Sequence, residues 1–244
     1  MNGYTFERRE LKYRITDAQR AALEAAFGAR MVPDEHGEST ICNIYYDTAD
    51  YRLIRASLEK PAYKEKLRLR SYGVPTADKS CFLELKKKYK GIVFKRRISA
   101  PYTDIKSYMA GEDNGIENSQ ILKEIDYFRR FYGCLKPTAD IFYDREAFYD
   151  RTDSSVRLTF DSNVLARGWD LELENGIYGE RVLENGLYIL EVKTSGAMPM
   201  WIAEMLNEFK IYPISFSKYG TAYKNGLLTR ENKKIITLGG EYCA

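Results

Sequence analysis

The stretch YKEKLRLRSYG, residues 63–73, alternates positive side chains with mostly apolar ones. Its cations occupy every second position: Lys64, Lys66, Arg68 and Arg70. Successive side chains of a β-strand point to opposite faces, so a strand here places the cations on one face and Leu67 and Leu69 on the other. The stretch therefore predicts an amphipathic strand. The function predicted for the chain depends on what the basic face of this strand contacts.

The same alternation of charged with apolar residues recurs along the chain. One parity carries Glu10 and Lys12 in RELKYR, Glu84 and Lys86 in CFLELKKKY, Lys95 and Arg97 in VFKRRIS, Tyr143 and Arg145 in IFYDREAF, Arg157 and Asp161 in VRLTFD, Asp170 and Glu172 in WDLELE, and Glu191 and Lys193 in LYILEVKT. Residues of one parity share a face of a strand. At least six strands are therefore predicted to have one charged face.

Hydrophobic periodicity predicts about nine strands and a smaller number of helices. The strand-like segments are residues 4–14, 41–47, 63–72, 80–89, 92–99, 139–149, 155–165, 169–174 and 187–194. The helical segments are residues 16–27, 119–133 and 198–209, with a short helix after Ser217. This pattern is typical of an α+β protein built on one antiparallel sheet or barrel, and we expect a single domain over residues 1–244.

Composition and motifs exclude several classes of protein. The net charge is +3, from 38 Lys plus Arg and 35 Asp plus Glu, which is too small to name an anionic partner. The single histidine, His36, excludes multi-histidine metal sites, and the four cysteines form no CxxC pair. Glycine-rich phosphate loops are absent from the sequence, so any bound phosphate must be held by side chains. With no signal peptide and no long apolar run, we expect a cytoplasmic protein without a membrane span.

Two interpretations of the charged faces remain open at this point. An antiparallel sheet with one solvated face also alternates in this way. However, like charges on neighbouring strands repel each other unless an anion lies between them, and a solvated face does not require so many arginines. The alternative is a barrel whose charged faces line a central channel. Such a channel suits a polyanion with a divalent metal ion, because guanidinium groups bind phosphoryl oxygens and carboxylates bind the metal.

The ordered series of motifs resembles a known family. The series is ELKYR, YKEKLRLRSYG, FLELKKK, GIVFKRR, YDREAF, VRLTFD, ILEVK and FSKYGTAY. It is similar to the vacuolar transporter chaperone (VTC) type polyphosphate polymerase domain, a branch of the triphosphate tunnel metalloenzymes, from about residue 4 to residue 228. The resemblance implies an eight-stranded antiparallel tunnel with helices outside. It also implies ATP-dependent transfer of the γ-phosphoryl group to phosphate or to a growing polyphosphate chain.

The resemblance assigns roles to residues of this sequence. The catalytic set that it implies is Arg68, Arg70, Lys86, Arg145 and Glu191. The residues that it implies for binding triphosphate and polyphosphate are these cations with Lys12, Lys95, Tyr143 and Lys218, the last near the tunnel mouth. Parity adds Lys66, Arg157 and Lys193 to the same face. Glu191, with Glu84 and Glu10, is expected to bind Mn2+ or Mg2+.

One departure from the wider superfamily concerns the first strand. The ExExK pattern reads RRELK here, so Arg8 replaces the first glutamate, which favours a polymerase over a small-molecule triphosphatase. The alternatives are a tunnel triphosphatase or nucleotidyl cyclase, and a non-catalytic module that binds polyanions. We expect ATP, phosphate and polyphosphate as partners and no nucleic acid. Any translocation of product would need a separate membrane partner.

Overall fold

The computed structural model describes residues 9–90, 92–228, 236–237 and 240–241. Arg8 lies outside the described residues. Within these ranges the helices are α1 (Asp17–Phe27), α2 (Arg52–Leu58), α3 (Tyr102–Ala110), α4 (Gln120–Tyr132), α5 (Met200–Glu208) and α6 (Lys218–Lys224). None of the helices in the described part of the chain has the length and apolar character needed to cross a lipid bilayer.

The strands form one large antiparallel sheet. They are β1 (Arg9–Thr16), β2 (Met31–Asp47), β3 (Tyr63–Tyr72), β4 (Ser80–Tyr89), β5 (Ile92–Pro101), β6 (Lys136–Asp150), β7 (Arg157–Arg167), β8 (Tyr178–Arg181), β9 (Leu187–Thr194), β10 (Pro213–Ile214), β11 (Ile236–Thr237) and β12 (Gly240–Glu241). The main order is β10-β1-β9-β7-β6-β2-β3-β4-β5, and β8 with β11 and β12 extends the sheet beside β7. The α+β class is thereby confirmed.

The expectation of a closed eight-stranded barrel is wrong. There are more strands than eight, and β10 and β5 end the main order without pairing to each other in the described part of the chain. The sheet nevertheless curls strongly. Five strands separate β1 from β4, which in a flat sheet would place them roughly 29 Å apart. Yet Lys86 Nζ on β4 lies 3.4 Å from Glu10 Oε2 on β1. The sheet therefore encloses a channel that side chains, rather than backbone pairing, complete.

Helices cover the convex, outer face of the sheet, as the sequence predicts. Leucines of β3 and β4 pack with Ile105 of α3 and Ile125 of α4 in one apolar cluster. Apolar residues of β1, β7 and β9 pack with Leu23 of α1 and Ile202 of α5 in a second cluster. Burying these apolar faces under helices stabilises the curled sheet and leaves the opposite faces turned inward.

Helix α6 packs against the inner face, where Ile54 of α2 joins the same apolar cluster. Its Tyr219 stacks on Tyr45 of β2 with ring centroids 4.7 Å apart, and its hydroxyl donates to Asp47 at 2.9 Å. Tyr219 and Ala222 form an apolar cluster with inward residues such as Ile141 and Ile189. The helix therefore fills part of one end of the channel.

Thr16 begins helix α1 as the sequence predicts. Its hydroxyl accepts from the backbone N–H of Gln19 at 3.3 Å, and the Gln19 side chain accepts from the backbone N–H of Thr16 at 3.1 Å. This reciprocal cap satisfies two free donors. We expect Thr16→Ala to lower the free energy of unfolding by about 1 kcal/mol in urea titrations, while Thr16→Ser keeps the hydroxyl and the stability. An alanine variant as stable as the parent would contradict the assignment.

Residues 169–174, predicted to form a strand, instead form a turn and a short 3-10 helix, Leu173–Asn175. The cause is Arg167, which is fully buried. Its guanidinium donates to the carbonyl of Glu172 at 2.8 Å and to that of Gly176 at 3.0 Å. These carbonyls therefore bind a side chain instead of a neighbouring strand.

Helices α2 and α3 were not predicted, because their apolar positions are too few to show a clear period.

Candidate functional site

The inner faces of β3, β4 and β5 carry cations in register. The pairing places Lys66, Lys86 and Lys95 side by side on three neighbouring strands, and Lys64 beside Lys88. Like charges directly opposite each other destabilise a sheet. The pairing confirms the parity argument made for residues 63–73, and it concentrates the positive charge of three lysines on the inner face of the sheet.

The inner faces of β3, β4 and β5 together form a basic wall, and Glu84 is a carboxylate within it. It is almost fully buried and accepts from Arg68 Nε at 2.8 Å, with Lys95 Nζ at 2.5 Å and Arg70 Nε at 3.8 Å. Burial alone would raise the pKa of Glu84, but the guanidiniums of Arg68 and Arg70 hold it far below its usual range. Glu84 therefore pairs closely with Arg68 and Lys95, and more distantly with Arg70.

Arg70 spans from the basic wall to β2 and β6. Its Nε donates to Asn43 Oδ1 and its Nη2 donates to Tyr143 Oη, both at 3.1 Å. Burial would raise the pKa of Tyr143, but Arg145 and Arg70 lower it to about 8. The guanidinium is thus oriented by two neutral acceptors, which leave its positive charge available to a ligand.

Arg145 occupies the opposite wall in a bidentate ion pair. Its Nε and Nη2 lie 2.6 and 2.7 Å from the two oxygens of Asp161, which is fully buried. Lys218 of α6 also donates to Asp161 and lies 4.2 Å from the centre of the Tyr143 ring. Lys218, which the resemblance places near the tunnel mouth, is buried beside Arg145 at the end of the channel that α6 partly fills.

Glu191 is the most heavily paired carboxylate of the channel. Its oxygens lie 3.0 Å from Lys12, 2.9 Å from Lys193, 3.4 Å from Arg145 and 4.0 Å from Lys218. Burial would raise the pKa of Glu191, but Lys193 and the other cations hold it well below its usual range. The carboxylate is therefore ionised at neutral pH and balances four positive groups.

The three predicted metal ligands do not form one cluster. No group of three potential metal-binding side chains occurs in the described ranges of the chain. Lys12 Nζ lies between Glu10 and Glu191, at 3.3 and 3.0 Å, whereas Glu84 shares none of its described ion-pair partners with them. A position between two carboxylates favours positive charge, and Mg2+ commonly binds one or two carboxylates together with substrate phosphates. Glu10 and Glu191 flank one position that suits such an ion, and Glu84 lies apart from that position.

Two further predicted cations differ in their surroundings. Lys66 donates to Ser217 Oγ at 3.0 Å, and burial lowers its pKa to about 8. Arg157 is exposed and lies opposite Lys193 on the neighbouring strand. The structure thus gathers most of the predicted residues around one channel: Glu10, Lys12, Lys66, Arg68, Arg70, Glu84, Lys86, Lys95, Tyr143, Arg145, Glu191, Lys193 and Lys218.

Several residues of the site were not predicted from the sequence. Asn43 and Tyr45 contact the arginines of β3, with Arg68 Nη1 donating to Tyr45 Oη at 3.1 Å, and Asp161 holds Arg145. Parity alone placed Asp161 on the charged face of β7. Nothing in the sequence shows that it pairs with Arg145, because that contact depends on the register between β6 and β7.

Comparison with known proteins agrees with this architecture. The chain resembles the crystal structure of a candidate adenylate cyclase from Bacillus halodurans, with 14% identity, a TM-score of 0.52 and coverage of 86% of this chain and 95% of that one. It also resembles a candidate adenylate cyclase from Vibrio parahaemolyticus, with 12% identity, a TM-score of 0.50 and coverage of 90% and 99%. These similarities concern the fold alone.

No curated protein matches the chain. A family model does: the model described as VTC domain matches residues 7–226, which is nearly the whole chain. The match includes every residue of the channel described above. The chain therefore belongs to the VTC domain family.

Proposed function

We propose that this protein is an ATP-dependent polyphosphate polymerase, which transfers the γ-phosphoryl group of ATP to phosphate or to a growing polyphosphate chain. The observation that carries the proposal is the row formed by Lys66, Lys86 and Lys95 on neighbouring strands. Three adjacent lysines repel each other in the free protein, and a chain of phosphates would neutralise them together. Membership of the VTC domain family supports the same reading.

Positioning of charge is the main contribution of the protein to phosphoryl transfer. The transferred group carries negative charge on its oxygens, and the reaction needs no covalent nucleophile. Arg68 and Arg70 on one wall and Arg145 on the other would bind these oxygens from two sides. Each acts as a charged hydrogen-bond donor, and a guanidinium can bind two phosphoryl oxygens at once.

The carboxylates of the site orient these arginines before substrate arrives. Glu84 fixes Arg68, and Asp161 fixes Arg145 in bidentate geometry. Donors that are already oriented do not need to reorganise during the reaction, and such preorganisation is a large part of enzymatic rate enhancement. Glu10 and Glu191 would hold a divalent ion, Mn2+ or Mg2+, which when bound neutralises charge on the phosphoryl oxygens.

The direct test is to incubate the purified protein with ATP and Mn2+ or Mg2+ and to stain a gel for polyphosphate. We expect a ladder of acid-labile polymer and release of ADP. Free phosphate alone would indicate a triphosphatase, and a cyclic nucleotide would indicate a cyclase. Binding of polyanions without turnover of ATP would indicate a non-catalytic module. Each of these three results contradicts the proposal.

The lysines of the basic wall predict a pH dependence of polyanion binding. Burial lowers the pKa of Lys66 and of Lys95 to about 8, although Glu84 opposes the effect at Lys95. Both lose their charge as pH rises through this value, so the affinity for inorganic tripolyphosphate should fall between about pH 7 and about pH 9. Calorimetric titrations of tripolyphosphate into the protein at several pH values measure this affinity.

Lys66→Met is the matched variant for this prediction. It removes one of the two titrating charges, so the affinity for tripolyphosphate should depend less on pH.

The stability of the free protein should change with pH in the opposite direction. The unfolded chain binds more protons than the folded one between about pH 8 and the ordinary lysine pKa of 10.5, so the free energy of unfolding rises with pH there. An affinity for tripolyphosphate that is independent of pH would contradict the prediction.

A further inference from the structure

Two aromatic rings continue the inner face beyond the arginines of β3. Tyr72 follows Arg70 by two residues and so shares its face, and Phe82 on β4 is the direct cross-strand partner of Arg70. The rings of Tyr72 and Phe82 meet edge to face, with centroids 6.1 Å apart. The guanidinium of Arg97 on β5 lies 4.5 Å from the centre of the Phe82 ring. The three side chains form an aromatic and cationic surface next to Arg70.

This surface is not part of the apolar interior. Neither Tyr72 nor Phe82 belongs to any of the three apolar clusters of the described residues. Tyr72 is 37% exposed, and Arg97 is exposed as well. Phe82 lies beneath the guanidinium of Arg97 and against the edge of Tyr72, so it fixes the orientation of both. Tyr72 and Arg97 are therefore both partly accessible to solvent while they contact Phe82.

We propose that Tyr72 and Arg97, held by Phe82, form a stacking site for the purine base of the nucleoside triphosphate. The inference rests on the proposed function and adds a subsite to it. Aromatic rings and guanidinium planes bind nucleobases by stacking. Successive inner positions on β3 are about 7 Å apart, so Arg68, Arg70 and Tyr72 form a line that an extended nucleoside triphosphate can follow.

The position of this surface also fixes the direction in which the nucleotide enters. The base lies at the Tyr72 end of β3, and the phosphates lie at Arg70 and Arg68. The terminal phosphate then points toward Lys66 and its row of lysines. The nucleoside therefore stays at the Tyr72 end of the channel, away from helix α6, which Lys66 contacts through Ser217.

The test compares two ligands that each contain three linked phosphorus groups, of which only one carries a base. The ligands are inorganic tripolyphosphate and an ATP analogue with a non-cleavable β,γ-imido link, each titrated with Mg2+ into the full chain. We expect the parent protein to bind the analogue more tightly. Tyr72→Ala should weaken binding of the analogue about ten-fold, because one stacking contact is lost, and leave binding of tripolyphosphate unchanged.

Conservative and matched variants separate stacking from folding. Tyr72→Phe keeps the ring and should bind as the parent does, and Phe82→Leu keeps apolar volume but should lose the preference for the analogue. Phe94→Ala on β5 removes a ring with the same 37% exposure from the outer face and should change neither affinity. Equal losses for both ligands, or no loss, would overturn the inference. Failure of the parent to bind tripolyphosphate would overturn the proposed function as well.

Discussion

Arg70→Ala is expected to lower the rate of polyphosphate synthesis by about 10²- to 10³-fold, the usual effect of removing one charged donor from a preorganised phosphoryl or oxyanion site. Arg70 is oriented by Asn43 and Tyr143 rather than neutralised by a close carboxylate, since Glu84 Oε2 lies 3.8 Å away. Its charge is therefore directed at the ligand. The rate of ADP release at saturating ATP measures the effect.

Two variants control this experiment. Arg70→Lys keeps the charge but loses the fork of donors, so it should recover only part of the rate. Arg55→Ala removes a half-exposed arginine from α2, outside the channel, and should leave the rate unchanged. If the Arg70→Ala protein keeps the full rate of synthesis, Arg70 is not part of the functional site.

Glu191→Gln should abolish synthesis and also destabilise the free protein. The substitution leaves Lys12, Arg145, Lys193 and Lys218 without the carboxylate that they share. Loss of one partner of a buried ion pair typically costs about 3–5 kcal/mol of folding free energy. Tripolyphosphate supplies the missing negative charge, so it should raise the midpoint of thermal unfolding more in the variant than in the parent.

The matched control is Glu184→Gln, which makes the same chemical change at an exposed position between β8 and β9. It should change neither the rate nor the midpoint. If Glu191→Gln unfolds at the same temperature as the parent without ligand, Glu191 does not balance the channel cations. If it stays fully active, Glu191 is not a metal ligand.

The basic wall could be predicted from the sequence because it depends on local alternation. Strict alternation over residues 63–73 places Lys66, Arg68 and Arg70 on one face, and β3 has this orientation in the structure. Leu67 and Leu69 are fully buried on the other face. A period of two is a property of the strand itself, so it does not require knowledge of neighbouring strands.

The features that were wrong or missed depend on contacts between distant segments. Closure of the sheet requires its two edge strands, β10 and β5, to pair with each other, and no local sequence pattern shows whether they do. The role of Asp161 depends on its register with Arg145, and the turn after β7 depends on the carbonyls that Arg167 binds. Local alternation in residues 169–174 predicts a strand, but a buried guanidinium determines the conformation there.

The pair between Lys86 and Glu10 determines how the channel responds to its surroundings. In a closed barrel, strand number and register fix the diameter. Here the two sides meet through side chains, and Lys86 is 40% exposed, so dissolved salt weakens the contact. Contact between these two sides of the channel therefore depends on an ion pair that responds to ionic strength, unlike the backbone hydrogen bonds that join neighbouring strands elsewhere in the sheet.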